Sequence, residues 1–155
     1  MRDLANRTEF YAMFCIGTYT FAPYRVAWKR MANHMAATVL AEIETPYGCK
    51  AVIGTDTTSF YACDDEAEAH YLCAIMNAPP VNDFVRSFSA GGRGFGAPSM
   101  AANIAIPKFD PGCKVHQQLA ALSQTAHQRV ALGQALDDVD RNLTIAVKEL
   151  WNIAP

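Results

Sequence analysis

The stretch Ser59-Phe60-Tyr61-Ala62-Cys63 runs directly into Asp64-Asp65-Glu66-Ala67-Glu68-Ala69-His70-Tyr71-Leu72-Cys73-Ala74-Ile75-Met76-Asn77, and the reading of this join decides the fold. The first five residues are short and aromatic, which predicts a strand. The next fourteen predict a helix over 64–77. Asp64 or Asp65 can cap it, and Asp65 with Glu68 has the spacing of an acidic capping box. The acids Asp64, Asp65, Glu66 and Glu68 crowd the first turn, where the helix dipole favours negative charge. Leu72, Ile75 and Met76 supply a buried stripe. Pro79-Pro80 ends the helix, because proline cannot continue the backbone ladder.

Toward the N terminus, Tyr24, Val26 and Trp28 alternate with Arg25, Ala27 and Lys29, which predicts a strand with one basic face. Met35 to Ile43 reads as a second strand and Lys50 to Ile53 as a third, after the turn signal Pro46-Tyr47-Gly48. Residues 1–23 mix large aromatics without a period. They read as strand or loop leaning on an apolar neighbour, which suggests a preceding body. Toward the C terminus, Val81 to Phe88 is a short helix or strand, Ser89 to Met100 is a glycine-rich loop, and Asn103 to Ile106 is a short strand. Val115, Leu119, Leu122, Ala126 and Val130 step by helical intervals. So do Leu136, Val139, Leu143, Val147 and Leu150, with a break near Gly133. The expected fold is α+β: a twisted, mixed or antiparallel sheet with a central helix, then a C-terminal helical pair. The body spans 1–112, and the pair, 113–155, is a spacer or docking element.

Composition narrows the function. The chain has 155 residues, 51% hydrophobic and 18% charged, which suits one domain with a real core and argues against a disordered or fibrous chain. With 13 Lys+Arg against 15 Asp+Glu the net charge is −2, so any nucleic-acid role needs a local basic patch. No apolar run is long enough to span a membrane, and the first 25 residues lack a secretory core, so a cytoplasmic location is expected. The cysteines are Cys15, Cys49, Cys63, Cys73 and Cys113. Their odd number and the absence of a C-x-x-C pair predict reduced thiols.

Several constellations bear on chemistry. Asn77-Ala78-Pro79-Pro80-Val81 superficially resembles the Asn-Pro-Pro-aromatic loop of amino-methyltransferases. Ala78 intervenes, Val81 takes the aromatic place and a helix precedes it, so it reads as a helix stop. The glycines around Arg93 lack the flanking strand, helix and acid of a nucleotide-binding loop. Two readings remain: a loop that sets Arg93 and an exposed Phe95 against phosphate or a base edge, or a solvated surface loop. Cys63, His70 and Cys73 could form a zinc-based site, but a fourth ligand is missing and a buried His and Cys fit better. His34, His116 and His127 fit helix surfaces or caps. No nucleophile, base and oxyanion donor assemble, so no catalytic set is expected. A segregated fold could gather Arg25, Lys29, Arg30, Arg86 and Arg93 into a basic face; an ordinary mixed surface is the other reading.

These motifs, taken in order, resemble a known family. Ile16-Gly17-Thr18-Tyr19-Thr20-Phe21, Tyr24-Arg25-Val26-Ala27-Trp28-Lys29-Arg30, Glu68 to Asn77, Ile104-Ala105-Ile106-Pro107-Lys108-Phe109-Asp110 and His116 to Ser123 are similar to the C-terminal target-recognition (specificity) domain of adenine-N6 DNA methyltransferases and fused restriction–modification enzymes. The resemblance covers most of the chain. It implies a non-catalytic module that grips double-stranded DNA. A separate catalytic domain would hold S-adenosylmethionine and methylate the adenine, so no cofactor is expected in this chain. On physical grounds the DNA contacts are expected from Arg25, Lys29, Arg30, Arg86, Arg93 and Phe95. The alternative is a protein-interaction module that dimerises through Val115, Leu119, Leu122, Leu136, Leu143 and Leu150.

Overall fold

A computed structural model describes residues 16–89 and 95–153. The fold is α+β. A 3-10 turn, Thr18–Phe21, leads into β1 (Tyr24–Lys29). There follow β2 (Ala37–Leu40), β3 (Glu42–Thr45), β4 (Gly48–Ala51) and β5 (Thr58–Cys63). The helices are α1 (Glu66–Asn77), α2 (Pro79–Phe88), α3 (Lys114–Ala131) and α4 (Asp137–Leu150), with a single helical turn at Pro98–Ala101.

β1 is the middle of an antiparallel sheet ordered β2-β1-β5. Val26 pairs with Val39 on one side and Tyr61 on the other. This register puts Val26, Trp28, Ala37, Val39, Tyr61 and Cys63 on one face, because side chains alternate along a strand. That face meets α1. β3 and β4 form a separate antiparallel hairpin, and its loop closes at Gly48, whose φ of 94° suits a residue without a Cβ.

α1 starts as its acids predict: the Asp65 carboxylate accepts the Glu68 N–H at 2.8 Å. It stops at Asn77, and after one extended residue, Ala78, Pro79 and Pro80 open α2, where their missing N–H groups cost nothing. α1 buries most of its circumference, including Tyr71, Cys73, Ile75 and Met76, between the sheet and α3. Leu119, Leu143 and Val147 of the C-terminal helices belong to this same core, with Val115, Leu122, Leu136 and Leu150 packed against it. Of the residues named for pairing two copies, Leu119 and Leu143 are buried within one copy and Val115, Leu122, Leu136 and Leu150 are half-buried there.

Asn103 to Ile106 is not a strand. Ile104 is buried, yet no strand lies beside it; the Trp151 indole and the Tyr71 hydroxyl bind the Ala105 and Pro107 carbonyls instead, both at 2.9 Å. No helix among the described residues is long and apolar enough to cross a membrane.

Candidate nucleic-acid interface

Lys29 ends β1 and Arg30 begins the loop to β2; both are exposed. Arg30 is fixed through its backbone and its side chain. Its N–H donates to the Thr57 carbonyl at 2.9 Å, its own carbonyl accepts from Gly96 at 3.0 Å, and its Nη1 donates to the Asp56 carbonyl at 3.2 Å. Arg86 lies in the last turn of α2, where a cation suits the helix dipole. Its Nε donates to the Asn33 carbonyl at 3.0 Å, and Asn82, one turn earlier, accepts the Met35 N–H at 2.5 Å. α2 thus clamps the β1–β2 loop and places Arg86 beside the segment that carries Arg30. Three of the expected contacts, Lys29, Arg30 and Arg86, share this end of the sheet. Arg93 lies outside the described residues.

Two expected contacts are corrected. Phe95 is not exposed: it is 1% accessible and part of the core. Its neighbour Gly96 explains the anchoring. The Gly96 carbonyl accepts from the Trp28 indole at 2.8 Å and from the Ser59 hydroxyl at 3.3 Å. A Cβ at Gly96 would lie 2.0 Å from the Lys29 carbonyl oxygen, so only glycine allows this approach. Arg25 is not on an open basic face either. It is 2% accessible, because Thr20, Leu40, Gly54 and Phe60 wall in that side of β1.

His70, Cys63 and Cys73 serve the packing. His70 and Ser123 share a 3.0 Å hydrogen bond through Nδ1 and the hydroxyl. Burial, reinforced by His127, lowers the His70 pKa below its ordinary value, with Glu66 opposing. Burial pushes the Cys63 thiol up to about 11, with Glu68, Asp64 and Asp65 adding to the rise. Burial likewise raises Cys73 to about 11, against hydrogen bonds from Ser123 and Asn77. Both therefore stay protonated thiols at neutral pH, poor as nucleophiles. Among the described residues no cluster of three or more His, Cys, Asp or Glu could hold a metal.

The sequence reading did not anticipate the treatment of the outer edge of β2. The Asn77 side-chain amide pairs with Ala37 in both directions: its oxygen accepts the Ala37 N–H at 2.9 Å and its nitrogen donates to the Ala37 carbonyl at 2.8 Å. Two residues on, the Val39 N–H donates to His127 Nε2 at 3.0 Å. An N–H can only donate, so Nε2 is an acceptor, and Nδ1 carries the proton given to the Ser123 carbonyl at 2.8 Å. The period-two spacing of Ala37 and Val39 is the signal that the backbone N–H groups of both point outward from an edge strand while their side chains face α1. Asn77 and His127 also line a cavity of about 520 Å3 between β2, α3 and α4, but these edge contacts already engage their polar groups.

No family model, curated protein or solved structure matches this chain.

Proposed function

We propose that this chain is a DNA-contacting target-recognition module of the adenine-N6 methyltransferase or restriction–modification type. It would position a duplex for a separate catalytic domain that binds S-adenosylmethionine. The observation that carries the reading is the placement of Lys29, Arg30 and Arg86 at one end of the sheet, exposed, with both arginine stems tethered to backbone carbonyls. Tethered cations lose less side-chain freedom when they meet phosphate, and such contacts set register on a duplex. The ordered motifs quoted above support the same reading. The patch is small, which fits a module that holds DNA jointly with a partner domain.

Fluorescence anisotropy of a labelled duplex tests it. Binding by the full chain should weaken with salt, and Lys29→Ala, Arg30→Ala and Arg86→Ala should each lower the slope of log K against log salt by about 1 per lost phosphate contact. Binding unchanged in the triple variant would overturn the assignment of this patch.

A further inference from the structure

Two side chains of different chemistry hold the outer ladder of β2. The Ala37 N–H meets the Asn77 amide oxygen at 2.9 Å, and the Val39 N–H meets His127 Nε2 at 3.0 Å. An amide oxygen accepts at any ordinary pH. An imidazole accepts only through an unprotonated nitrogen, and histidine is the side chain whose ordinary titration falls near neutral pH.

Two donors converge on His127 Nε2: the Val39 N–H and, at 3.1 Å, the Thr38 hydroxyl. Nδ1 cannot take over as acceptor, because it donates to the Ser123 carbonyl at 2.8 Å. A proton arriving at Nε2 meets these two partners differently. The Thr38 hydroxyl can turn and accept it, whereas the Val39 N–H can only donate and is left facing a donor. The bond that joins β2 to α3 at Val39 is then lost, while Asn77 still holds Ala37.

We propose that His127 is a proton-operated latch on the edge of β2. Neutral, it joins α3 to Val39; protonated, it lets go, and the Val39 N–H is free to pair with an extended segment. The latch therefore holds at higher pH and releases as pH falls. His127 is half-buried and lines the cavity of about 520 Å3, which gives solvent a route to the ring. From α1, the buried His70 ring stands edge-on to it, with centroids 5.0 Å apart, and shares a hydrogen bond with the Ser123 hydroxyl. Burial and then His127 lower the His70 pKa, with Glu66 opposing, so His70 stays neutral while His127 carries the proton. Cys73 of α1, raised to about 11 by burial, stays neutral as well. Across the cavity, Asp140 of α4 favours the charged ring, and His34 of the β1–β2 loop opposes it once protonated. β2 itself contributes no titratable side chain. The latch is independent of the proposed DNA contacts.

Amide hydrogen exchange of the full-length protein, read by NMR from about pH 7.5 to about pH 5, tests it. Rates are taken relative to an unstructured chain, so that the intrinsic effect of pH cancels. Val39 should lose about tenfold in protection for each pH unit below the titration of the His127 ring, followed by its own resonances, and Ala37 should keep its protection. His127→Gln should remove the pH dependence at Val39, and His70→Gln should leave it in place. Parallel losses at Ala37 and Val39 would overturn the latch, because the sheet would then be opening as a whole. So would constant protection at Val39 across the range, or a dependence that disappears in His70→Gln. Should His127→Gln not fold, the contrast between Ala37 and Val39 in the wild type decides alone.

Discussion

Along β1, Val26 and Trp28 look toward α1 while Arg25 and Ala27 look toward coil, and all four are buried. The first face is covered by regular elements whose apolar stripes interlock. Trp28 packs in a tilted arrangement on Tyr61, ring centroids 5.0 Å apart, and its indole N–H is satisfied by Gly96. The second is covered by the Thr18–Phe21 turn and the run from Val52 to Gly54, with Tyr19 lying 5.9 Å from Phe60. Burial alone does not make a core. One side excludes water with matched surfaces, and the other excludes it while leaving Nε and Nη2 of Arg25 without a hydrogen-bond partner.

Substitutions can break this contrast. Trp28→Ala should cost about 3–5 kcal/mol in urea unfolding, since it opens a cavity and leaves the Gly96 carbonyl only its longer bond from Ser59. Phe60→Ala, on the half-buried coil side, should cost about 1–2 kcal/mol. Equal losses would mean the two sides are packed alike. Asn77→Ala, which removes both amide hydrogen bonds to Ala37 and leaves its carbonyl only the Cys73 thiol at 3.5 Å, should cost about 2 kcal/mol, and faster amide exchange at Ala37 would locate the damage.

A smaller effect comes from pH. The His70 pKa is lowered in the folded chain, so between that value and about 6.5 the unfolded chain binds more protons. Its stabilising contribution is complete above about pH 6.5 and declines as pH falls below it. The slope cannot exceed about 1.4 kcal/mol per pH unit for one proton. His70→Gln should flatten that portion of the stability–pH curve; an unchanged curve would assign the dependence elsewhere. The smallest effect belongs to the β3–β4 hairpin. Tyr47 at its tip is 88% accessible, so Tyr47→Ala should shift stability by no more than about 0.5 kcal/mol. A larger loss would show that the hairpin is packed against something.

Much of the fold was legible because it obeys short-range rules. The capped, acid-led start of α1 and its proline stop are local, and so is the strand alternation of Tyr24 to Trp28. What covered each face was not local. Arg25 read as exposed because nothing periodic announces that an irregular run, Val52 to Gly54, will lie over it. Phe95 read as exposed because it follows glycines, and its anchoring depends on the bonds of its neighbour Gly96 to the Trp28 indole and the Arg30 carbonyl, more than sixty residues away. Asn103 to Ile106 read as a strand because it is apolar, whereas side chains from two helical segments satisfy that region's carbonyls. Of the candidate interface, residue types were legible, but the clamp of α2 on the β1–β2 loop is a tertiary fact.

The amide of Asn77 and the ring of His127 stand where a fourth strand's backbone would stand. A chain made from its N terminus completes β2 at Leu40, well before either residue has been synthesised. Through that interval the outer ladder of Ala37 and Val39 is open to any extended segment nearby, including a neighbouring nascent chain. The sheet is sealed only when α3 arrives, so truncation before His127 should turn a well-behaved product into one that self-associates through this ladder.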